Sequence, residues 1–476
     1  MRYGRLFSRK FLSSSLRMAG EFKAKRSRLS NGGSDKSYFE SYADITVHEE
    51  MLGDDVRTNT YKKAIFNCYQ SLKDKVVLDV GAGTGILSCF CAQAGAKKVY
   101  AIEASNIAKQ AKKVVELNGL SDQIVVMQCL LEDAFLPEKV DVIVSEWMGY
   151  CLLYESMLSS VITARDRWLK PGGLMLPSAA ALYFAPICDD EITVEKVNFW
   201  NDMEEVYGVD MSCILPFARS SISKDVMVKT ISCENVLSHP QLVVQFDLLK
   251  VSHADVQLVQ HKFKFNSFGI ADFQGFALWF DVLFPAHDVA MSNGNTTATN
   301  VSDLSQENET GQNSDPVSDE INGRVAGSEN EIEELHGCVE QNKHSEINGV
   351  IPTLHGSNIA QNTEDDTLNH KDELSNDNIL KPSVAKAGLG YPVLLSTSPY
   401  KPETHWKQSL LYLNNEVQVV QDSQLEGTLE MRPCKDNHRF LNIKLTCSVD
   451  GGGEVNKSYF MGYELPKNKD EEIKTC

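Results

Sequence analysis

The sequence lacks the features that mark several large classes of protein. None of its apolar runs approaches the roughly 18 residues that a membrane-spanning helix needs. Its 12 cysteines are scattered, and the one close pair, Cys89 and Cys91, has no second cysteine pair and no histidine pair nearby. No metal knuckle and no dense disulfide framework is therefore expected. These absences predict reduced thiols, an intracellular protein, no bound metal and no membrane partner.

Basic residues are also scarce. The 476 residues include 46 Lys and Arg against 65 Asp and Glu, for a formal net charge of −19. Because nucleic-acid binding is driven mainly by basic charge, we expect no direct nucleic-acid binding. A protein this acidic is better matched to a cationic partner. Hydrophobic residues make up 42% of the chain, which is enough for a sizeable core and excludes wholesale disorder.

The first 36 residues depart from this acidic composition. Up to Ser30 they contain nine Lys or Arg and one acidic residue. Three interpretations stay open: a transit peptide over residues 1–17, a nuclear-import patch at Lys23–Arg28, or a solvated tail whose true initiator is Met18. We expect a nuclear protein, with the cytoplasm as the alternative and a transit peptide as the minority interpretation.

A second segment, residues 287–390, has an unusual composition. It contains no Phe, Trp or Tyr and has nineteen acidic against five basic residues. Such a segment cannot bury enough apolar surface to offset its ordering entropy, so we predict a disordered acidic insert. Because β-rich texture resumes beyond it, the insert lies inside a β domain.

Two kinds of pattern divide the rest of the chain. Up to about residue 176, short apolar runs alternate with helical ones, which predicts a doubly wound, Rossmann-like parallel α/β sheet. Here Ser105 is predicted to cap a helix and Pro171-Gly172-Gly173 to end the α/β unit. Short β-rich runs follow, which predict an antiparallel β-barrel or sandwich.

A glycine-rich segment, Asp79–Gly85, follows the first predicted strand. Glycines there let the backbone approach a nucleotide-like ligand closely. A dinucleotide-binding spacing would need glycine at position 86, which is Ile86, and no phosphate-binding lysine follows. The spacing fits the loop of S-adenosylmethionine-dependent methyltransferases instead. Glu103 ends the second strand, where a carboxylate can take both ribose hydroxyls, although a plain tight turn with an incidental acid stays the alternative.

Two glutamates, Glu146 and Glu155, lie nine residues apart in a loop rich in Trp, Tyr, Met and Leu after the fourth strand. This loop is at the carboxyl edge, where open α/β sheets build their sites. Buried and unpaired, two carboxylates would be costly, whereas a cationic ligand between them removes the cost. A planar guanidinium suits them best because it can be held bidentately. Two ordinary surface glutamates are the alternative.

These motifs together resemble the protein arginine N-methyltransferases, from Tyr38 to about Tyr463 apart from the insert. Tyr38–Tyr42 and His48–Met51 resemble the helices that fold over the cofactor in that family, and Thr404–Trp406 resembles its Thr-His-Trp loop. The resemblance implies methyl transfer from S-adenosyl-L-methionine to arginine in basic proteins such as histone tails and Arg-Gly segments, within transcription and chromatin regulation. It also implies a homodimer.

The resemblance further implies roles for individual residues. Arg57 would pair the methionine carboxylate, Glu103 would hold the ribose and Glu132 would lie near the adenine. Met51, where symmetric-dimethylating members carry Phe, points to the asymmetric (type I) class. The complete set is catalytic Glu146, Glu155, His405 and Asp54; cofactor-binding His48, Arg57, Gly81, Gly83, Glu103 and Glu132; and substrate-pocket Tyr38, Tyr42, Met51, Met157 and Trp406.

Taken alone, several of these residues have ordinary explanations. His48 could satisfy a local helix contact, Arg57 could form a surface ion pair, and Met51 and Met157 could be core packing. Of the adjacent Asp54 and Asp55, one could be solvated charge.

The predicted organisation has six parts. They are a disordered basic leader (1–36), a cofactor-binding methyltransferase domain with its N-terminal covering helices (37–176), a first β-barrel part with a dimerisation arm at about 188–213 (177–286), the acidic insert (287–390), a second β-barrel part with the Thr-His-Trp loop (391–465) and a disordered tail (466–476). In the arm, an internal aromatic cluster is the alternative to a dimer contact.

Two competing functions stay open at this point. A small-molecule or nucleic-acid methyltransferase is one, but nucleic acid calls for basic and stacking residues, whereas Glu146 and Glu155 repel phosphate. A catalytically silent binding module is the other. Such a module is expected to have lost a glutamate or a cofactor glycine, and this sequence has lost neither.

Overall fold

The computed structural model describes residues 34–285 and 392–462. All of these fall in one of two compact units, which comprises Met1–Asn308 and Ala387–Cys476. The acidic insert at 287–390 and the tail at 466–476 lie outside the described residues, as does the basic leader up to residue 33. The last three residues assigned to the leader, 34–36, are already part of a helix.

From residue 34 onward, four helices precede the first strand. Asp44 caps the second of them by accepting a hydrogen bond from the Thr46 amide, and Asp54 caps the third by accepting one from the Arg57 amide. Aspartate is a favoured N-cap because its carboxylate satisfies a free amide of the first turn. Asp54 is also the C-cap of the second helix, so the chain changes direction there between two consecutive helices. The four are α1 (Ser34–Ser41), α2 (Ile45–Gly53), α3 (Asp55–Asn67) and α4 (Tyr69–Leu72).

A five-stranded sheet follows, with strand order β3-β2-β1-β4-β5 and parallel pairing throughout. The predicted doubly wound, Rossmann-like α/β fold is confirmed. The order reverses between β1 and β4, and open sheets bind ligands at such a switch point. The elements are β1 (Val76–Val80), α5 (Ile86–Gln93), β2 (Lys98–Glu103), α6 (Ala108–Leu117), β3 (Ile124–Gln128), a 3₁₀ turn (Leu131–Asp133), β4 (Val140–Val144), α7 (Leu158–Trp168) and β5 (Leu169–Leu176).

Two local predictions in this region are wrong. Residues 171–173 do not end the α/β unit but lie inside β5. Because β5 is an edge strand, the amide that Pro171 lacks is not needed by a neighbouring strand. Ser105 is not the N-cap of α6, which is Ile107. The Ser105 hydroxyl lies two residues before this N-cap and accepts a bond from the Ile107 amide at 3.4 Å.

The predicted antiparallel β region is confirmed as two sheets. One has the order β7-β12-β10-β6-β8 with β11 added to β10, and the other has the order β15-β14-β13-β9. The strands are β6 (Ala179–Ile187), β7 (Met227–Lys229), β8 (Gln241–Asp247), β9 (Val259–Asn266), β10 (Ala271–Phe284), β11 (Val393–Ser396), β12 (Gln408–Val419), β13 (Gln424–Pro433), β14 (Leu441–Val449) and β15 (Val455–Met461).

A helical excursion separates β6 from β7. Several of its large apolar side chains are exposed, among them Phe199, Tyr207 and Phe217, of which Tyr207 and Phe217 are about three-quarters exposed at 74% and 76%. Within the two described ranges, no helix is long and apolar enough to cross a membrane. The excursion consists of Asp190–Ile192, Thr193–Asn198, Phe199–Asn201, Met203–Tyr207, Ser212–Ile214 and α8 (Leu215–Ile222).

Strand β10 connects the two halves of the core. Its side chains alternate, so that Phe276 and Phe280 belong to the apolar cluster shared with the α/β sheet, whereas Trp279 belongs to a second cluster. At the end of the strand, Phe284 packs edge-to-face on Tyr61 of α3, with ring centroids 4.9 Å apart. The helix that carries Arg57 is thereby fixed against the β region.

Gly275, inside β10, is expected to tolerate no added side-chain volume. A Cβ atom at Gly275 would lie 2.2 Å from the Leu411 carbonyl oxygen on β12. We expect Gly275→Ala to destabilise the fold by about 1–3 kcal/mol, since overpacked cores must shift backbone. Differential scanning fluorimetry measures this as a lower melting temperature. The control is Gly453→Ala, where a Cβ would meet nothing within 4 Å. Equal melting temperatures for the two variants would contradict the packing argument.

Candidate active site

The glycine-rich loop after β1 is shaped by backbone conformations that side chains rarely allow. Gly81, Gly83 and Gly85 have φ values of 73°, 55° and 87°. A Cβ at Gly81 would lie 2.2 Å from Cε of Met157, and one at Gly83 would lie 3.4 Å from Cε1 of His48. The loop is therefore enclosed by the second helix on one side and by the start of α7 on the other, as close backbone approach to a ligand requires.

Glu103 lies at the carboxyl end of β2 and is buried. Its two oxygens accept hydrogen bonds from the backbone amides of Gly83 and Ser105, at 2.8 and 2.7 Å. A buried carboxylate is thus fixed beside the glycine-rich loop. Glu132 is exposed and accepts a bond from the Ser160 hydroxyl at 2.8 Å. The ribose and adenine contacts assigned to these two glutamates stay predictions.

Arg57 and Glu146 form a buried ion pair that the sequence did not predict. Nε and Nη2 of Arg57 donate to the same oxygen of Glu146, Oε2, at 3.1 and 2.8 Å. Nη1 also donates to the Met51 carbonyl at 3.1 Å. Among the described residues, no hydrogen bond ends on Oε1 of Glu146. Arg57 therefore orients this carboxylate and leaves one of its oxygens for a ligand.

Glu155 is held in the same one-sided way. The hydroxyls of Tyr42 and Tyr38 both donate to its Oε2, at 2.6 and 3.2 Å. Burial raises the pKa of Glu155 above its ordinary value; the two tyrosine donors oppose this shift, and the charge of Glu146 adds to it. Oε1 accepts no bond within the described part of the chain. A cation placed between the two glutamates would offset the cost of desolvating their charges and would reduce the repulsion between them.

The loop that carries these glutamates has a strained backbone. A Cβ at Gly149 would lie 1.9 Å from the Tyr154 carbonyl oxygen, so only glycine fits there. Left-handed conformations of non-glycine residues each cost on the order of 1–3 kcal/mol and persist only where the surroundings impose them. Four such residues follow Gly149, namely Cys151, Leu152, Glu155 and Ser156, with φ of 53°, 66°, 72° and 58°.

Asp54 and His405 form a carboxylate–imidazole pair beside α3. Oδ2 of Asp54 accepts from the His405 backbone amide at 2.9 Å and from its Nδ1 at 2.7 Å, while Oδ1 accepts the Arg57 amide. Although burial raises it, these donors together hold the pKa of Asp54 below its ordinary value. Nδ1 therefore carries the proton and Nε2 is the basic nitrogen. Trp406 is buried next to His405, and its Nε1 donates to the Met148 carbonyl at 2.9 Å.

The structure thus brings nearly all of the predicted site residues together around the carboxyl ends of β1, β2 and β4. Met51 contacts Arg57, Met157 contacts Gly81, and Tyr38 of α1 and Tyr42 just after it contact Glu155. Glu132 is the outlier, since its side chain is bonded to α7. In residues 34–285 and 392–462, no three His, Cys, Asp or Glu side chains are grouped as a metal site would need.

One residue of the site was missed. Arg439, in the hairpin between β13 and β14, donates from Nη1 to the Glu155 carbonyl at 2.9 Å and from Nε to Asp35 at 2.8 Å. A lone arginine in a polar hairpin carries no signal in the sequence. Its contacts depend on two segments more than 280 residues away, with sequence separations of 284 and 404.

Comparisons with known proteins agree with this geometry. The family described as the arginine methyltransferase oligomerization subdomain matches residues 178–300 and 387–452. Residues 63–178 match the family described as ribosomal protein L11 methyltransferase (PrmA). The two matches meet where β5 passes into β6.

Curated relatives match along nearly the whole chain. Protein arginine N-methyltransferase 6 of Danio rerio is 39% identical over 436 residues, which cover 91% of this chain and 95% of the relative. The probable protein arginine N-methyltransferase 6 of Arabidopsis thaliana is 41% identical over 426 residues, 89% of this chain and 81% of the relative.

Two solved structures are also similar. The Trypanosoma brucei PRMT1 enzyme–prozyme heterotetrameric complex with AdoHcy has a TM-score of 0.61 at 27% identity, and Arabidopsis thaliana protein arginine methyltransferase 10, in an open conformation, has 0.60 at 28%. Each match covers 89% of this chain and 100% of the other. On the strength of these relatives and of the acid pair, the chain belongs to the protein arginine N-methyltransferase family.

Proposed function

We propose that this arginine N-methyltransferase uses S-adenosyl-L-methionine to form monomethylarginine and asymmetric dimethylarginine in basic proteins. The observation that carries the proposal is the acid pair, Glu146 and Glu155. Each carboxylate has one oxygen held by the protein and the other free of bonds in the described residues. A planar guanidinium presents several N–H donors in fixed directions, so it can bridge two such oxygens better than a compact ammonium can.

The edge of the parallel sheet fits the proposed cofactor. Gly81 and Gly83 both have positive φ, which disfavours side chains there, so the loop backbone can lie directly against a ligand. Glu103, whose oxygens already accept the Gly83 and Ser105 amides, would also accept from the ribose hydroxyls, and Arg57 would pair the methionine carboxylate. His48 supports the loop from the other side. When bound, the cofactor supplies a methyl group already activated by a positive sulfur.

The residues of the chain then position and polarise the substrate. Oε1 of Glu146 and of Glu155 accept from guanidinium nitrogens and draw the delocalised positive charge toward them, which leaves more lone-pair character on the remaining terminal nitrogen. As the carbon–sulfur bond breaks and the carbon–nitrogen bond forms, that nitrogen loses a proton. Two groups can accept it: Glu155, whose pKa burial raises, and Nε2 of His405.

Asymmetric product is favoured by Met51. Its carbonyl accepts from Arg57, and its sulfur lies 3.9 Å from Nη2 of Arg57, so this side chain is beside the guanidinium slot. A flexible, unbranched thioether adapts to a second methyl group more easily than a rigid ring would. Met157, across the slot against Gly81, is of the same kind.

We also propose a homodimer with basic substrates. The exposed aromatic residues of the excursion after β6, within the match to an oligomerization subdomain, would be covered by a second copy. The net charge of −19 favours arginine-rich tails, such as those of histones, and Arg-Gly segments. Light scattering that returned the mass of one chain, 53.0 kDa, would contradict the dimer. Labelled-methyl incubation with core histones tests the substrate class.

A nuclear location and a role in transcription and chromatin regulation complete the proposal. They are supported by the basic patch Lys23–Arg28 and by the proposed histone substrates. A fluorescent fusion of the full chain, compared with one whose patch is replaced by alanine, tests the location. Equal nuclear signal from both fusions would remove the patch from the argument.

The charge of Glu155 is the first test of the acid pair. Glu155→Gln keeps an acceptor for the tyrosine hydroxyls but loses the negative charge, so we expect kcat/KM for an arginine peptide to fall at least about 30-fold, as for a lost buried charge partner. Binding of S-adenosylhomocysteine by calorimetry should stay within about twofold, because Glu155 does not contact Arg57. The control is Glu116→Gln on the exposed side of α6. Full activity of the Glu155→Gln variant would exclude the proposed clamp.

The pH profile provides a second test. Because the slot requires an ionised Glu155 with a raised pKa, activity is present above that pKa and is lost as the pH falls through it. The acid limb of kcat/KM should therefore lie above the ordinary glutamate value of about 4.5. Tyr42→Phe removes a donor that lowers this pKa and should move the limb to higher pH. Tyr69→Phe, on the distant α4, should not; an unmoved limb in the Tyr42→Phe variant would count against Glu155.

Product type tests the role of Met51. Met51→Phe should narrow the slot and raise the ratio of monomethylarginine to asymmetric dimethylarginine by about fivefold or more, since overfilled pockets reject even small added groups. Mass spectrometry of a methylated peptide measures the ratio. Leu52→Phe, at the adjacent and partly exposed position, is the matched control. If both variants keep the wild-type ratio, Met51 does not determine the product.

A further inference from the structure

The hairpin between β13 and β14 contributes an arginine that contacts both walls of the substrate slot. The Arg439 side chain is largely buried, at 12% exposed. Its Nη1 donates to the Glu155 carbonyl at 2.9 Å, and the Glu155 amide donates back to the Arg439 carbonyl at 2.8 Å. Two bonds therefore fix the main chain of Glu155 on both sides of its α-carbon.

The guanidinium of Arg439 also packs against side chains of helix α1. Its Nε donates to Asp35 at 2.8 Å, and its central carbon lies 3.8 Å from the ring centroid of Tyr38 and 5.2 Å from that of Phe39. A cation at this distance from a ring face is attracted to it. Asp35 is about half exposed, so the ion pair alone is worth little, and the stacking is the stronger contact.

We propose that Arg439 is a positioning residue that docks helix α1 onto Glu155, so that the tyrosine hydroxyls reach its carboxylate and complete the substrate slot. The proposal rests on the proposed function, because it assigns Glu155 to substrate binding. Arg439 acts through Glu155 and the tyrosines and touches no reacting atom.

Two physical constraints make such a residue necessary. Helix α1 has eight residues, too few to be stable in water without tertiary contacts. Glu155 has φ of 72°, a conformation that persists only where neighbouring groups impose it. Arg439 meets both needs with one side chain. The charged and titratable groups that face Glu155 are Tyr38 from α1, Tyr42 from the turn that follows α1, Glu146 from its own loop and Arg439 from the hairpin.

The experiment compares Arg439→Ala with Lys435→Ala, which removes the same charge from an exposed position of the same hairpin. In the full chain, we expect Arg439→Ala to raise KM for an arginine peptide about tenfold, with a smaller change in kcat, as for loss of a desolvated cation–π contact and its bonds. Arg439→Lys keeps the charge and a cation–π attraction to the rings but loses the planar stacking and part of the hydrogen bonding, so it should recover about half of the loss on a logarithmic scale. Lys435→Ala should match the wild type.

A double-mutant cycle shows whether the effect passes through the tyrosines. Tyr42→Phe should raise KM in the wild-type background but have a much smaller effect in the Arg439→Ala background, because α1 and the turn after it, which carries Tyr42, are already displaced there. Equal effects in the two backgrounds, or a KM for Arg439→Ala within twofold of the wild type, would overturn the proposal.

Hydrogen–deuterium exchange separates this proposal from the proposed function, since it needs no turnover. Amides of residues 34–41 should exchange at least about fivefold faster in Arg439→Ala than in Lys435→Ala. Unchanged exchange in these amides would overturn the docking role even if KM rose. If the wild-type chain methylates no arginine peptide, the proposed function fails, while the exchange comparison still decides the role of Arg439.

Discussion

Two partly buried carboxylates, each hydrogen-bonded through only one oxygen, are the constraint on which the rest of the site depends. A buried carboxylate is costly unless it is paired or hydrogen-bonded. Here Arg57 satisfies half of Glu146, and two tyrosines satisfy half of Glu155. The other oxygen of each glutamate, Oε1, can be satisfied by a cationic ligand. The apolar loop, Tyr38 and Tyr42, and Arg57 of α3 hold the two carboxylates in position. In the described residues they leave the second oxygen of each carboxylate unbonded.

The parallel sheet explains why these groups meet. Strand β1 pairs with β2 on one side and β4 on the other, so the glycine-rich loop and the glutamate loop leave the sheet from adjacent strands. A donor bound by the first loop therefore lies next to an acceptor bound by the second. The antiparallel sheets supply the other walls, through the Thr-His-Trp loop and the hairpin of Arg439. Neither part of the fold could build the slot alone.

The fold, the glycine-rich loop and the pair of glutamates could be predicted because their signals are local, whereas most other site residues were assigned from the resemblance to a family. Strand–helix alternation, the glycine spacing and the two glutamates in an apolar loop each lie within a short window. What could not be predicted depends on distant segments or on backbone shape. The Arg57–Glu146 pair joins residues 89 positions apart, and Arg439 reaches Asp35 across 404. The left-handed backbone at Cys151 and Leu152 is imposed by packing, since neither residue type favours it. Pro171 was misread because edge strands accept proline.

Arg57 pairs with Glu146, although Glu146 is proposed to bind the arginine of the substrate. The charge balance of the slot explains this pairing. Two glutamates alone would place two negative charges in a buried space, and one substrate cation would leave one of them uncompensated. Glu146, Glu155 and Arg57 together carry one net negative charge before the substrate binds and none afterwards, and the charge of Arg439 is offset by Asp35. The pairing also turns Glu146, because both bonds end on Oε2 and direct Oε1 elsewhere. A single arginine of the chain thereby sets both the charge of the slot and the direction of one of its acceptors.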